Sequence, residues 1–216
     1  MSTQPGDHHD HDHTGSHRHP FQPDTEDQPF ETYQVMAEAV GELLIEKGVL
    51  TAADIRRAIE DLDSRNPGLG ARVVARAWLD PAFKARLLEN GNAAAAELGI
   101  DAGSIPIRVV ENTADLHNVI CCTLCSCYPR LLLGVPPDWY KARAFRSRVV
   151  REPRAVLAEF GTEIPDHIEL RVHDSTADLR YMVLPLRPPG TEALDEEQLA
   201  ALVTRDCMIG TAIPSG

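Results

Sequence analysis

The sequence predicts an α+β fold, in which a helical N-terminal arm precedes a mixed α/β layered domain that carries a metal site on a cysteine loop. Apolar residues recur at helical spacing through most of the first hundred residues, and strand-like alternation appears only in the second half. Most of the cysteines cluster within this second half, between Cys121 and Cys127. We therefore divide the chain into a tail at 1–29, a helical region at 30–100 and a metal-binding α+β domain at 101–216.

Length and composition indicate a folded protein and exclude two classes of partner. With 216 residues, 43% of them hydrophobic, the chain can bury a substantial core. Its net charge is -12 and its Lys and Arg residues are scattered, which argues against nucleic acid as a partner. No apolar run approaches the roughly 20 residues that span a bilayer, and no signal-peptide pattern opens the chain. We expect a cytoplasmic protein with no membrane attachment.

The first 29 residues are rich in histidine, aspartate, proline and glycine and are predicted to be a disordered tail. Six of the nine histidines lie here, several of them interleaved with aspartates. Such a tail either captures a transition metal weakly or serves as a purification tag or solubilising segment. The interleaved aspartates favour something other than a plain tag.

Four helices are predicted before residue 100. The first begins at Glu31 and ends at Gly48, a residue suited to the left-handed C-cap. The second begins at Thr51, where Asp54 completes a variant of the capping box. The apolar face of the first helix consists of Met36, Val40, Leu43 and Leu44. The second helix ends at Asn66-Pro67-Gly68, and a short third helix covers about 71–78. The fourth helix begins at Asp80-Pro81.

The second half mixes predicted strands and helices. Short strands are expected at 107–110 and 119–121, bracketing a turn, and helices at 141–150 and 154–160. Residues 168–172 alternate as a half-buried strand, which we expect to form a hairpin with 179–184 across the turn at 174–176. A helix at 195–204 and a last strand at 207–213, with Cys207 on its inner face, complete the prediction.

Four of the five cysteines fall between Cys121 and Cys127. This spacing is too tight for disulfides that join distant segments, and in a reducing compartment such a cluster suggests metal. On an extended segment Cys121 should point away from Cys122, so we interpret Cys121 as a small buried hydrophobe. The candidate ligands are therefore Cys122, Cys125 and Cys127.

Bond counting around a metal at Cys125, Ser126 and Cys127 allows an unusual ligand set. If the backbone nitrogens of Ser126 and Cys127 bind as amidates, two sulfurs and two nitrogens can lie in one plane. Cys122 could add an axial thiolate and leave the sixth octahedral position open, which implies catalysis and makes 101–216 the catalytic domain. Amidate ligation favours trivalent cobalt or iron over zinc.

Spacing alone leaves other sites open. On spacing alone, about half of the weight goes to a structural zinc or iron-sulfur site, completed by Cys207 or His117. A reactive redox pair is a smaller possibility, and a set of inert buried thiols smaller still.

The residues around the loop carry a specific resemblance. Cys122 to Pro129 reads CTLCSCYP and resembles the metal-binding signature of nitrile hydratase alpha subunits almost letter for letter. The similarity covers nearly everything after the tail, notably Leu133 to Tyr140, Arg146 to Arg154 and Leu184 to Asp206.

This resemblance implies a role for each residue of the loop. Cys122 resembles the axial thiolate, Cys125 the sulfinate and Cys127 the sulfenate, while Ser126 and Cys127 supply the amidates. Cys127, Cys125 and Ser126 are then the catalytic set, and Cys122 joins them as metal ligands. In the family, Thr at position 123 goes with cobalt and Ser with iron, so the resemblance implies non-corrin Co(III), with iron less favoured.

The resemblance also implies the activity and the partners. The reaction is hydration of a nitrile to the amide, with the metal acting as a Lewis acid; the Cys127 sulfenate either attacks directly, which we favour, or activates water. Partners are a beta subunit, as one chain or split into two, a small-molecule nitrile and a cobalt-insertion activator. Arginines of the beta subunit hydrogen-bond the oxidised sulfurs in this family.

Two positions depart from the common pattern: Arg130 replaces a Trp, and Cys121 replaces an apolar residue. Arg130 and the tail resemble the gamma subunit of thiocyanate hydrolase, a cobalt relative with three subunits that converts thiocyanate to carbonyl sulfide and ammonia. Toyocamycin nitrile hydratase is another three-subunit relative. Arg130 could attract an anion, bind a polar substrate or pair with a partner's carboxylate, and the pairing is the simplest interpretation. A non-catalytic cobalt carrier is a further alternative.

Overall fold

A computed structural model describes residues 31–215. The tail predicted at 1–29 lies outside the described residues. Within them, helices combine with two small parallel sheets, so the predicted α+β class is confirmed. No helix in this described part of the chain is long and apolar enough to cross a bilayer.

The first two helices begin where the sequence predicts. Helix α1 spans Glu31–Glu46 and is followed by Gly48 at a φ of 67°, and α2 spans Ala52–Ser64. Thr51 and Asp54 form the predicted capping box, in which the Thr51 N–H donates to the Asp54 carboxylate over 2.8 Å. The beginnings of these helices follow from local side-chain chemistry.

The apolar face of α1 is not covered by the rest of residues 31–215. Met36, Val40 and Leu43 form the predicted stripe, yet they are 56%, 54% and 47% exposed. Helix α2 contributes no buried residue at all. Exposed apolar faces of this extent are typical of surfaces that another molecule covers.

Three further helices complete the N-terminal half. Helix α3 spans Pro67–Leu79, α4 spans Pro81–Glu89 and α5 spans Gly91–Glu97. The third helix is longer than predicted, because Asn66 caps it by accepting from the Gly68 N–H rather than ending α2. Helix α5 was not predicted, since its run of alanines shows no apolar periodicity.

Strand partners differ from the prediction. Strand β1 (Ile107–Glu111) pairs in parallel with β4 (Arg180–Leu184), and β2 (Leu116–Cys121) pairs in parallel with β3 (Glu169–Asp174). The predicted hairpin between 168–172 and 179–184 is therefore wrong, although both strands exist. Alternation predicts a strand but does not choose its partner, and the long-range pairings with β1 and β2 prevail.

The remaining helices are short: α6 at Arg130–Leu133, α7 at Asp138–Lys141, α8 at Arg143–Arg148, α9 at Pro153–Glu159, α10 at Glu196–Ala201 and α11 at Arg205–Ile209. The last strand predicted at 207–213 is wrong, because Thr204 caps α11 by accepting from the Cys207 N–H. Gly210, at a φ of 93°, ends this helix. The helix predicted at 141–150 is divided between α7 and α8 at Ala142, whose backbone is not helical.

The core lies between α3 and the sheets and fixes the end of β2. Fully buried residues from three separate regions meet there, among them Val74 in α3, Ile120 in β2 and Met208 in α11. Cys121 and Cys122 are also buried at the end of β2. The cysteine loop therefore begins at the buried end of β2.

Candidate metal centre

The three candidate thiols converge at one place. The ligand atoms of Cys122, Cys125 and Cys127 all lie within 4.8 Å of one another. The sulfur of Cys125 is 3.5 Å from that of Cys122 and 3.3 Å from that of Cys127. Cys122 is buried, Cys125 is exposed and Cys127 is intermediate, so the group runs from the core to the surface. Ser126 lies between the two outer cysteines of this loop.

The donor set fits a thiophilic metal but not a complete tetrahedral zinc site. In residues 31–215 the cluster contains three thiols and neither a histidine nor a carboxylate. His117 is held elsewhere, with Nε2 2.8 Å from the Gly210 carbonyl oxygen, and the Cys207 sulfur is 3.2 Å from the Thr204 hydroxyl. Neither residue reaches the cluster, so the fourth ligand of a structural zinc site is not supplied.

Backbone N–H groups lie beside the sulfurs of Cys122 and Cys125. The Cys125 N–H lies 3.3 Å from the Cys122 sulfur, while the N–H groups of Ser126 and Cys127 face the sulfur of Cys125. The same two nitrogens are the amidate donors that the sequence predicts. Their position beside the thiols is compatible with that role, which stays a prediction.

The thiols differ in acidity for identifiable reasons. A hydrogen bond from the Cys127 thiol lowers the pKa of Cys125, and the surrounding N–H groups lower it further. Burial raises the pKa of Cys127 to about 12, and the hydrogen bond with Cys125 contributes in the same direction. The positive charge of Arg180 lowers this pKa and so opposes the two effects. Cys125 is thus the more readily ionised thiol of this pair before a metal binds.

Asp174 clamps the beginning of the loop. The β2–β3 register places it beside Cys121, at the end of the neighbouring strand. Its carboxylate accepts from the Thr123 N–H over 2.8 Å and also from the Thr123 hydroxyl. This clamp was missed in the sequence, where Asp174 was assigned to a turn. Only the pairing of two distant strands brings it to Thr123.

Two other side chains hold the loop backbone. The Tyr140 hydroxyl, which is buried, donates to the Cys127 carbonyl oxygen over 2.9 Å. Arg146 donates to the carbonyl oxygen of Thr123 over 3.3 Å. Neither residue was singled out from the sequence. Tyr140 lies on α7 and Arg146 on α8, so these two helices contact the loop through these hydrogen bonds.

The aromatic residues next to the loop pack against neighbouring rings. Tyr128 contacts Tyr140 edge to face, with ring centroids 5.1 Å apart. Trp139 packs in the same manner on Phe145 and Phe160. Cys121 is fully buried, and burial raises its pKa to about 12, so it behaves as the small hydrophobe that the sequence predicts.

A cleft of about 530 Å³ opens beside the loop. Cys125, Ser126 and Cys127 line it together with two arginines, Arg130 and Arg180. Arg130 is exposed, whereas the Nη1 atom of Arg180 is buried and has no hydrogen-bond partner within residues 31–215. The rest of the lining is mostly small or apolar: Ala102, Gly103, Ser104, Ile105, Ile107, Tyr128, Pro129, Leu131 and Pro136.

Comparison with known proteins identifies one family. The model of the nitrile hydratase alpha chain matches residues 31–212. The alpha subunit of the low-molecular weight cobalt-containing nitrile hydratase of Rhodococcus rhodochrous is 49% identical over 179 residues, which are 82% of this chain and 86% of that protein.

Two other relatives mark the breadth of the similarity. The thiocyanate hydrolase subunit gamma of Thiobacillus thioparus is 43% identical over 194 residues, covering 84% of this chain and 80% of that one. A solved structure, a double mutant of the Fe-type nitrile hydratase from Comamonas testosteroni Ni1, is 45% identical and superposes with a TM-score of 0.79. It covers 87% of this chain and 92% of that one.

Proposed function

The chain belongs to the nitrile hydratase alpha-chain family, and we propose that it is the metal-carrying subunit of a lyase that hydrates a nitrile to the corresponding amide. One observation carries the proposal: Cys122, Cys125 and Cys127 converge within 4.8 Å on a loop that borders a cleft. The match to the family model extends over the whole described fold except its last residues.

Cobalt is the metal that the comparisons favour. The Rhodococcus rhodochrous relative is named as cobalt-containing, and the loop carries Thr123, the variant that accompanies cobalt in this family. Bound cobalt would supply a Lewis acid that polarises the nitrile. We propose Cys122, Cys125, Ser126 and Cys127 as the ligands, with Cys125 as sulfinate and Cys127 as sulfenate.

The residues of the loop differ in burial, and this difference indicates their roles. Cys122, inside the core, anchors the site, and Cys125, Ser126 and Cys127 border the cleft where a substrate can approach. The hydrogen bond from Tyr140 and the clamp on Thr123 keep the loop in place. We propose that the oxygen on Cys127 attacks the nitrile carbon or activates water for that attack.

A beta subunit is the proposed partner, as one chain or as two. The exposed apolar stripe of α1 and the loop residue Leu124, which is 89% exposed, are the surfaces that it would cover. A cobalt-insertion activator is a second proposed partner. We also propose a cytoplasmic location, where the free thiols would stay reduced before the metal binds.

Thiocyanate hydrolysis is the second candidate function. Arg130 borders the cleft beside Cys127, and a guanidinium there suits an anionic substrate. The 43% identity with a thiocyanate hydrolase subunit supports the same possibility. The two functions differ in their products, so a single assay separates them.

The test is turnover by the chain co-purified with its partner subunits and loaded with cobalt. Small nitriles, a nucleoside nitrile and thiocyanate are offered in parallel. We expect amide from at least one nitrile, with about one cobalt per chain. Carbonyl sulfide and ammonia from thiocyanate alone would establish the second candidate. Cobalt without turnover, released readily to a chelator, would overturn both in favour of a carrier.

A further inference from the structure

Arg180 is held at the cleft by the backbone of a strand. It is the first residue of β4 and pairs with Ile107 in the β1–β4 register. Its N–H donates to the Pro106 carbonyl oxygen over 2.9 Å. Ile107 and Arg180 both line the cleft, so the β1–β4 pairing fixes the backbone of Arg180 at the cleft.

One nitrogen of the Arg180 guanidinium has an unused hydrogen-bond donor. Its Nη1 atom is buried, and the described part of the chain gives it no hydrogen-bond partner. Buried donors are nearly always paired in folded proteins, so an unpaired one at a site indicates a missing acceptor. No carboxylate among the described residues lines the cleft. The acceptor can therefore come from the chemistry of the site or from a bound molecule.

One acceptor that the site could supply is on Cys127. Both Arg180 and Cys127 border the same cleft. A sulfenate adds an anionic oxygen to that sulfur. Guanidinium groups bind such oxygens through short, charge-assisted hydrogen bonds.

We propose that Arg180 is a positioning residue that donates a hydrogen bond from Nη1 to the oxygen carried by Cys127. The inference rests on the proposed function, which requires that oxygen. Arg180 would then provide, from this chain itself, a guanidinium donor beside those that the family takes from the beta subunit. It would retain the oxygen and direct it into the cleft.

The first test compares Arg180→Ala and Arg180→Lys with an Arg108→Ala control in the cobalt-loaded complex. Arg108 is exposed on the neighbouring strand and does not line the cleft of the loop. We expect Arg180→Ala to lower both the fraction of Cys127 peptide with one added oxygen and kcat by about tenfold. Arg180→Lys should restore part of each, and Arg108→Ala should match the wild type. A wild-type oxygen content and kcat in Arg180→Ala would overturn the proposal.

The second test uses the full chain before metal is added, so it does not depend on turnover. Cys127 is alkylated with anionic iodoacetate or with neutral iodoacetamide, and peptide mass spectrometry gives the ratio of the two rates. A nearby guanidinium attracts the anionic reagent, so Arg180→Ala should lower this ratio about threefold relative to wild type and to Arg108→Ala. An unchanged ratio would show that Arg180 does not face Cys127, whatever the enzyme hydrates. A lowered ratio in a chain whose complex hydrates no nitrile would instead count against the proposed function alone.

Discussion

Replacing Cys127 with alanine is expected to abolish nitrile hydration by the cobalt-loaded complex, with a loss of about a thousandfold or more. The substitution removes one of the three sulfurs that converge within 4.8 Å and with it the group proposed to carry the reactive oxygen. Bound cobalt, measured by elemental analysis, should fall as well. The amide produced per chain gives the activity.

Cys207→Ala is the matched control for this loss. Cys207 is a buried cysteine on α11 that does not belong to the cluster. Its replacement should cost some stability through lost packing and leave cobalt content and activity near the wild-type values. Turnover by Cys127→Ala within tenfold of the wild type, with cobalt retained, would contradict the assignment of Cys127.

Gly210→Ala is expected to destabilise the chain by about 3 kcal/mol or more. Gly210 has a φ of 93°, and an added Cβ would lie 2.1 Å from the Asn118 carbonyl oxygen. Its own carbonyl oxygen accepts the hydrogen bond from His117. Since Asn118 and His117 belong to the strand that delivers the cysteine loop, the variant should also bind less cobalt. The midpoint of urea denaturation of the full chain measures the effect on stability.

Gly161→Ala separates backbone strain from steric overlap. Gly161 has a similar φ of 81°, but an added Cβ would meet nothing within 4 Å. It should cost only about 1 kcal/mol, the penalty for a side chain in the left-handed region. Equal losses in the two variants would show that the contact between Gly210 and β2 is not what limits stability.

The sequence was most informative where structure depends on neighbouring residues. The capping box at Thr51 and the helix opened by Asp80-Pro81 are present, with the Asp80 carboxylate accepting from the Ala82 and Phe83 N–H groups. The convergence of the cysteines was also predictable, because all three lie within the short segment from Cys122 to Cys127. Short-range chemistry leaves few alternatives at such positions.

Long-range contacts were not predictable in the same way. The clamp from Asp174 to Thr123 joins residues 51 positions apart, and Arg180 reaches the cleft only because β4 pairs with β1. Local alternation at 168–172 and 179–184 instead suggested a hairpin. The residues missed from the sequence are thus the ones that support the loop from other strands and helices, where only the tertiary fold decides proximity.

The most direct test of the metal centre is X-ray absorption at the cobalt edge, measured on the co-purified complex. Cys122, Cys125 and Cys127 should give a first shell with about three sulfurs, completed by nitrogen or oxygen, in six-coordinate geometry. This result would place the metal on the cysteine loop. A shell of nitrogen and oxygen alone, or a four-coordinate site with histidine ligands, would contradict the account.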